Sequence, residues 1–146
     1  HGVHRRQRQM CIRDRFKKNT INNVVVMGSK TWTDPLMPWP LPNRVNVLAT
    51  TREKEFPGAD KYICGDLNKK LKNLKKEYDN KTIWVIGGPN IIEQTIESIE
   101  EFYLSRIPGK YNCDGFLSLD NIETLFTKTW FEKHDSVEFQ IWKKNK

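Results

Sequence analysis

The sequence predicts an α/β domain built on a doubly wound, mostly parallel sheet with antiparallel C-terminal edge strands. Three observations predict it. Val24-Val25-Val26-Met27 and Ile83-Trp84-Val85-Ile86 are continuous apolar runs, the pattern of strands buried on both faces. Each run passes directly into glycine and then a helix start, at Gly28 and at Gly87-Gly88. The chain closes on Phe126–His134 and Val137–Trp142, which read as an antiparallel pair joined by a short turn.

Residues 16–20, FKKNT, suit the end of a short helix, and residues 21–23 make a turn into the first strand. Asp34 to Pro42 holds Pro35, Pro38, Pro40 and Pro42 and must be loop. Residues 45–50, VNVLAT, form a second strand, 51–60 are turn-rich, and 62–64 are a short strand candidate. Asp66 can cap a helix whose stripe is Leu67, Leu71, Leu74 and Tyr78, with lysines on the solvated faces. Pro89 fits the first position of the next helix, which has Ile91, Ile92, Thr95, Ile96 and Ile99 on its apolar face. Residues 101–107 are a further strand, ended by Pro108-Gly109. Ligands of such sheets bind near the C-terminal ends of the strands.

A chain of 146 residues is one domain by length, and 37% hydrophobic with 29% charged residues is a globular composition. No apolar run approaches the roughly 20 residues that span a bilayer, and no apolar segment follows the basic N-terminus as in a secretory signal. Cys11, Cys64 and Cys113 are widely spaced, which argues against a disulfide scaffold or zinc site and for free thiols in a reducing cytoplasm. The net charge of +7 suggests a nucleic-acid partner, but residues 1–18 hold seven basic residues against the single acid Asp14. The other eighteen bases and seventeen acids nearly cancel, so the body is close to neutral. No metal, nucleic-acid or membrane partner is therefore expected.

The two strand–glycine–helix junctions, 24–32 and 83–94, are the places for chemistry. Glycine admits a ligand close to the backbone, and the free amides of a helix start favour an anion. A pyrophosphate bridging two such junctions would be held by backbone donors. Taken alone, each junction is more often only a tight turn. Neither a GxGxxG dinucleotide fingerprint nor a GxxxxGK[ST] phosphate loop occurs.

In order, FKKNT, VVVMGSKTW, LPNR leading into VNVLATTR, VIGGPNIIEQ, FYLSRI and EFQIW resemble the dihydrofolate reductase family from about Phe16 to Trp142. The resemblance implies NADPH as hydride donor, 7,8-dihydrofolate as small-molecule acceptor, and a monomer. It matches Gly28, Ser29, Lys30 and Thr31 to the first cofactor turn. Thr50, Thr51 and Arg52 match the strand end that holds the adenosine 2′-phosphate, where hydroxyls and a guanidinium suit a dianion. Ile86, Gly87, Gly88, Pro89, Asn90 and Ile91 match the turn over the nicotinamide and pyrophosphate. Pro89 stands where the family often has a third glycine, removing one amide donor. Arg44 matches the clamp on the α-carboxylate of the folate tail, for which a planar fork is suited. Phe16 matches the ring that packs on the aminobenzoyl group, and Ser105 a hydroxyl supporting the catalytic carboxylate and pterin. Leu36, Met37 and Trp39 are candidates for lining the substrate cleft.

The same resemblance exposes a gap. Reduction at carbon 6 of the pterin requires protonation of nitrogen 5, and the family's carboxylate stands four residues before the position of Phe16. Ile12 occupies that place, one helical turn away on the same face. No catalytic residue is therefore expected to be intact. Asp14, two residues from Phe16, falls near the opposite face and is a poor substitute. The family's first strand and nicotinamide loop have no counterpart before Phe16. RRQRQMCIRDR resembles translated sequencing-adapter read-through. Residues 1–15 are accordingly expected to be a disordered or artefactual front segment on a truncated gene, and 16–146 the domain. A natural basic extension is the rival reading. Alternatives in function are a related pyrimidine reductase of riboflavin synthesis, a nucleotide-binding protein without catalysis, and a nucleic-acid binder acting through residues 1–18.

Overall fold

The computed structural model describes residues 12–34, 40–106, 119–134 and 137–146. Two compact units divide the chain: Thr20–Ser98, and the segments up to Asn19 and from Ile99 onward.

Thr20–Ser98 is built on four parallel strands, β1 (Val24–Gly28), β2 (Val45–Ala49), β3 (Lys61–Ile63) and β4 (Ile83–Gly87), in the order β3-β2-β1-β4. The β-branched run of β1 lies at the inside of this sheet, and Val24, Val25, Val26 and Met27 are at most 1% exposed. Parallel pairing sets Gly28 opposite Ala49, while a register shift after Val26 sets Met27 opposite Gly87. β4 is only half-buried along Ile83–Ile86, where the sequence suggests a strand buried on both faces. The reason is its place at the edge of this sheet.

Two very short helices and one longer one serve the sheet. α2 (Ser29–Trp32) and α4 (Pro89–Thr95) leave directly from β1 and β4. α3 (Leu67–Glu77) starts where Asp66 Oδ1 accepts a hydrogen bond from the Lys69 amide at 3.3 Å. Leu67, Leu71 and Leu74 are its buried stripe, packed with Val24, Val26, Val47, Ala49 and Ile63. At roughly 1.5–3 kcal/mol for each fully buried leucine, this stripe fixes the helix in place despite its many lysines.

Among the described residues, 12–20 are helical (α1), and 12–19 of them belong to the second unit; the helix extends at least four residues ahead of FKKNT. Residues 12–15, assigned by sequence to the basic front segment, are therefore helical. Polar charged residues are adequate helix formers, and Arg15 has partners in the same unit. Its guanidinium pairs with Glu132 at 3.2 Å and stacks 4.2 Å over the Phe139 ring.

Three antiparallel strands, β5 (Glu101–Arg106), β6 (Phe126–His134) and β7 (Val137–Lys144), form a sheet of their own in the order β5-β7-β6. The class expected from sequence, a parallel α/β sheet with antiparallel C-terminal strands, is the class observed. α5 (Leu119–Leu125) precedes β6 and was not legible in the sequence. Ile122, Phe126, Val137 and Phe139 are buried, and Phe102 meets Phe126 edge-to-face at 6.3 Å.

Candidate functional site

The parallel register gathers the C-terminal ends of β2, β1 and β4. Gly28 lies beside Ala49, so the strand end carrying Thr50, Thr51 and Arg52 adjoins the start of α2. On the other side, a β-carbon on Gly28 would come within 3.9 Å of the Gly88 nitrogen and 2.9 Å of Ile91 Cγ1. The two glycine junctions are thus neighbours, and their approach leaves no room for a side chain at position 28.

The β4 junction has its own geometry. Gly87 has φ of +139°, a conformation that side chains rarely adopt, and the peptide between Gly87 and Gly88 is cis. Thr31 Oγ1 lies 3.3 Å from the β-carbon position of Gly87 and 3.7 Å from that of Gly88. Pro89 opens α4 as expected, and the amides of Ile91 and Ile92 both reach the Gly88 carbonyl at 3.1 Å. Neither Gly28 nor Gly88 offers a side-chain cap to its helix. α2 and α4 are four and seven residues long, so bare glycine backbone, more than a helix dipole, characterises the place.

At the neighbouring strand end, Thr50 Oγ1 accepts from the Arg52 amide at 3.1 Å. Thr51 and Arg52 are exposed, and the Arg52 guanidinium contacts Glu55 at 3.1 Å. Ser29, Thr31, Ile86 and Ile91 are half-buried, while Lys30 and Asn90 are exposed. All thirteen residues expected at the cofactor lie in the Thr20–Ser98 unit.

Arg44 belongs to the same unit but stands at the other end of β2. Five strand residues separate it from Thr50, roughly 20 Å at the usual rise. Burial lowers the Arg44 pKa from its ordinary value. Its turn is held by Asn46, which is 2% exposed. Asn46 Oδ1 accepts from the Leu41 amide at 2.9 Å, and Nδ2 donates to the carbonyls of Leu41 and Arg44 at 2.9 and 3.0 Å. Asp60 Oδ2 accepts from the Asn46 amide at 2.7 Å. From outside the turn, the Asn22 amide donates to the Asn43 carbonyl at 2.8 Å and the Val45 amide to the Asn23 carbonyl at 3.0 Å. Asn46 was missed in the sequence, where it reads as one polar position of a strand. Its signal is an asparagine two residues after the turn arginine.

Phe16 is half-buried on α1, with Ile12 one turn earlier and also half-buried, and Asp14 is exposed. Ser105 is exposed on β5, paired with Phe139. These four residues lie in the second unit. Leu36, Met37 and Trp39 fall outside the described residues, as do residues 1–11, Ile107 and Cys113. Cys64 is a free, exposed thiol. Among the described residues no group of three or more His, Cys, Asp or Glu side chains is placed to hold a metal, and no helix is long and apolar enough to cross a membrane. A cavity of about 250 Å³ lies beside β3 and α3, lined by Lys61, Tyr62, Cys64 and Lys70 among others. It includes none of the residues expected at cofactor or substrate.

Comparison with known proteins finds similar chains. A dihydrofolate reductase of Drosophila melanogaster is 34% identical over 101 residues, covering 66% of this chain and 56% of that protein. A dihydrofolate reductase of Buchnera aphidicola subsp. Schizaphis graminum is 36% identical over 129 residues, covering 85% of this chain and 76% of that protein. The viral dihydrofolate reductase of Saimiriine herpesvirus 2 is 28% identical over 137 residues, 84% of this chain and 64% of its own length. The chain thus spans little more than half of the Drosophila relative. Among solved structures, the dihydrofolate reductase from Enterococcus faecalis complexed with NADP(H) and RAB-propyl superposes with a TM-score of 0.70 at 17% identity. That alignment covers 91% of this chain and 80% of the other, and speaks to the fold. The family model for dihydrofolate reductase matches residues 12–144, and the chain belongs to the dihydrofolate reductase family.

Proposed function

We propose that the chain derives from an enzyme that reduces 7,8-dihydrofolate to tetrahydrofolate with NADPH, and that as it stands it binds these ligands but turns over poorly. The observation that carries the binding half is the meeting of the two glycine junctions at Gly28 and Gly87-Gly88. A bare backbone at that place fits a pyrophosphate. When bound, NADPH supplies the hydride.

The chain's own residues have distinct tasks in this reading. Gly28, Ser29, Lys30 and Thr31 hold the cofactor from one junction, and Ile86 through Ile91 from the other. Thr50, Thr51 and Arg52 receive the 2′-phosphate, with the guanidinium supplying charge-assisted bonds. Arg44 clamps the substrate α-carboxylate at the far end of β2, a separation suited to an elongated substrate. Phe16 packs on the aminobenzoyl ring, and Ser105 supports the pterin. The hydride goes to carbon 6 and a proton must reach nitrogen 5. Ile12 carries no proton, so that second delivery falls to water.

Ile12 supports one further reading, nucleotide binding without turnover. The deciding experiment follows NADPH oxidation with dihydrofolate for this chain and for a chimera given a complete family N-terminus with its acid. Little turnover by the chain and rescue by the chimera are expected. Full activity of the unaltered chain would refute the account of Ile12. A folded chimera without turnover would refute dihydrofolate as substrate.

A further inference from the structure

We infer that Asn46 is the positioning residue for Arg44, setting the aim of the guanidinium on an anionic ligand group. The inference rests on the reading of Arg44 as the carboxylate clamp and deepens it.

The turn from Leu41 to Asn46 has little to fix it by itself. Pro42 lacks an amide hydrogen, Asn43 has φ of +59°, and Arg44 carries a long side chain with many rotamers. Asn46 closes this turn from the inside. One primary amide satisfies both backbone groups of Leu41 and the carbonyl of Arg44. The Arg44 peptide is thereby tied to a strand residue that is itself locked to Asp60 through two backbone-anchored bonds, Asn46 N to Asp60 Oδ2 and Asp60 N to the Asn46 carbonyl. A buried amide with its acceptor and both donor hydrogens engaged rotates little. Asparagine alone has this reach with a donor and an acceptor on one planar group; leucine lacks the polar atoms, and aspartate lacks the donors and would set a second carboxylate against Asp60. A clamp whose backbone is fixed loses less freedom on binding, so its preference for a matching anion is sharper.

The test measures discrimination in preference to affinity. Folate and folate α-carboxamide differ only at the α-carboxyl group that Arg44 reads, where the amide loses the charge and one acceptor oxygen. Tryptophan fluorescence titration gives Kd for each with the full chain, its Arg44→Gln variant, and Asn46→Ser and Asn46→Ala. Near-UV circular dichroism checks that each is folded. The parent should prefer the carboxylate by about 10–100-fold, the usual worth of a charged hydrogen bond. Arg44→Gln should bring the ratio close to one. Both Asn46 variants should lower it about five-fold or more while leaving NADPH affinity unchanged, because a loosened guanidinium loses geometry more than charge.

An Arg44→Gln protein that keeps the ratio would refute the Arg44 reading itself. A ratio lost in Arg44→Gln but kept in folded Asn46→Ser would overturn the role of Asn46 alone. If Asn46→Ala fails to fold, Asn46→Ser carries the test, since its hydroxyl keeps one polar atom in the turn while falling short of the Leu41 and Arg44 backbone. Loss of folding in both would also overturn the inference, because Asn46 would then serve the fold and not the aim of Arg44.

Discussion

The hydroxyl oxygen of Thr31 stands 3.3 Å from the point where a β-carbon would project from Gly87. The contact joins a residue of the first junction to the turn of the second, and two separate costs meet at Gly87. A side chain there would press on Thr31, and the φ of +139° is strained for any residue but glycine.

Gly87→Ala should therefore lose about 1–3 kcal/mol of stability from the backbone conformation alone, with a smaller steric part added. Adding Thr31→Ala removes only the steric part. Urea unfolding of both proteins separates the two: incomplete recovery in the double variant is expected, and full recovery would show that the backbone conformation costs nothing.

Gly28 is the opposite case, because its backbone is ordinary. Its φ is −91°, and the obstacle is Ile91 Cγ1 at 2.9 Å from the β-carbon position. Gly28→Ala should cost about 1–3 kcal/mol by overpacking. In Gly28→Ala/Ile91→Ala the new methyl group takes space that the isoleucine vacates. The double-mutant cycle should show a favourable coupling of about 1 kcal/mol or more. Additive losses would mean that the two junctions are not in contact in solution.

These pairs mark the boundary of what the sequence discloses. The runs at Val24–Met27 and Ile83–Ile86, each with glycine behind it, are local signals, and so are the Asp66 cap, the leucine stripe of α3 and Pro89. All depend on neighbours along the chain. The contact of Thr31 with Gly87, the closeness of Gly28 to Ile91 and the hold of Asn46 on Arg44 depend on strand order and register. Asn46 is two residues from Arg44, but its meaning comes from burial, which VNVLAT does not reveal. The early start of α1 was hidden for a different reason. Arg13, Asp14 and Arg15 read as solvated charge until Phe139 and Glu132, more than a hundred residues away, give Arg15 a place. The half-burial of β4 likewise follows from its edge position, while its composition is that of an inner strand.

Arg52 carries a prediction about cofactor choice. Its guanidinium is 3.1 Å from Glu55, with both side chains more than half exposed. At the proposed cofactor site, a 2′-phosphate would compete with that carboxylate. Arg52→Gln should weaken NADPH binding by about 10–100-fold and leave NADH binding unchanged. Glu55→Gln should strengthen NADPH binding by about two- to five-fold, the scale of an exposed ion pair. Both effects should shrink in roughly 1 M salt, where exposed charges are screened. Fluorescence titration with the two cofactors checks this. Equal losses for NADPH and NADH in Arg52→Gln would remove Arg52 from the phosphate site.

The last prediction concerns the missing acid. Ile12 is helical and half-buried, one turn before Phe16. Aspartate is tolerated within a helix at a modest cost in propensity. Ile12→Asp should raise the rate of NADPH oxidation with dihydrofolate by about 10²-fold or more, the usual contribution of a positioned proton donor. The gained rate should fall as pH rises through the new carboxyl's pKa, because only the protonated form can deliver. Asp14→Asn should change nothing, because Asp14 is exposed and two residues out of phase with Phe16. Stopped-flow and steady-state rates across pH decide the matter. If Ile12→Asp binds NADPH and folate yet stays inert at every pH, the acid position is not what limits this chain. The limit would then lie elsewhere, in the hold on the pterin or in the family's nicotinamide loop, which has no counterpart before Phe16.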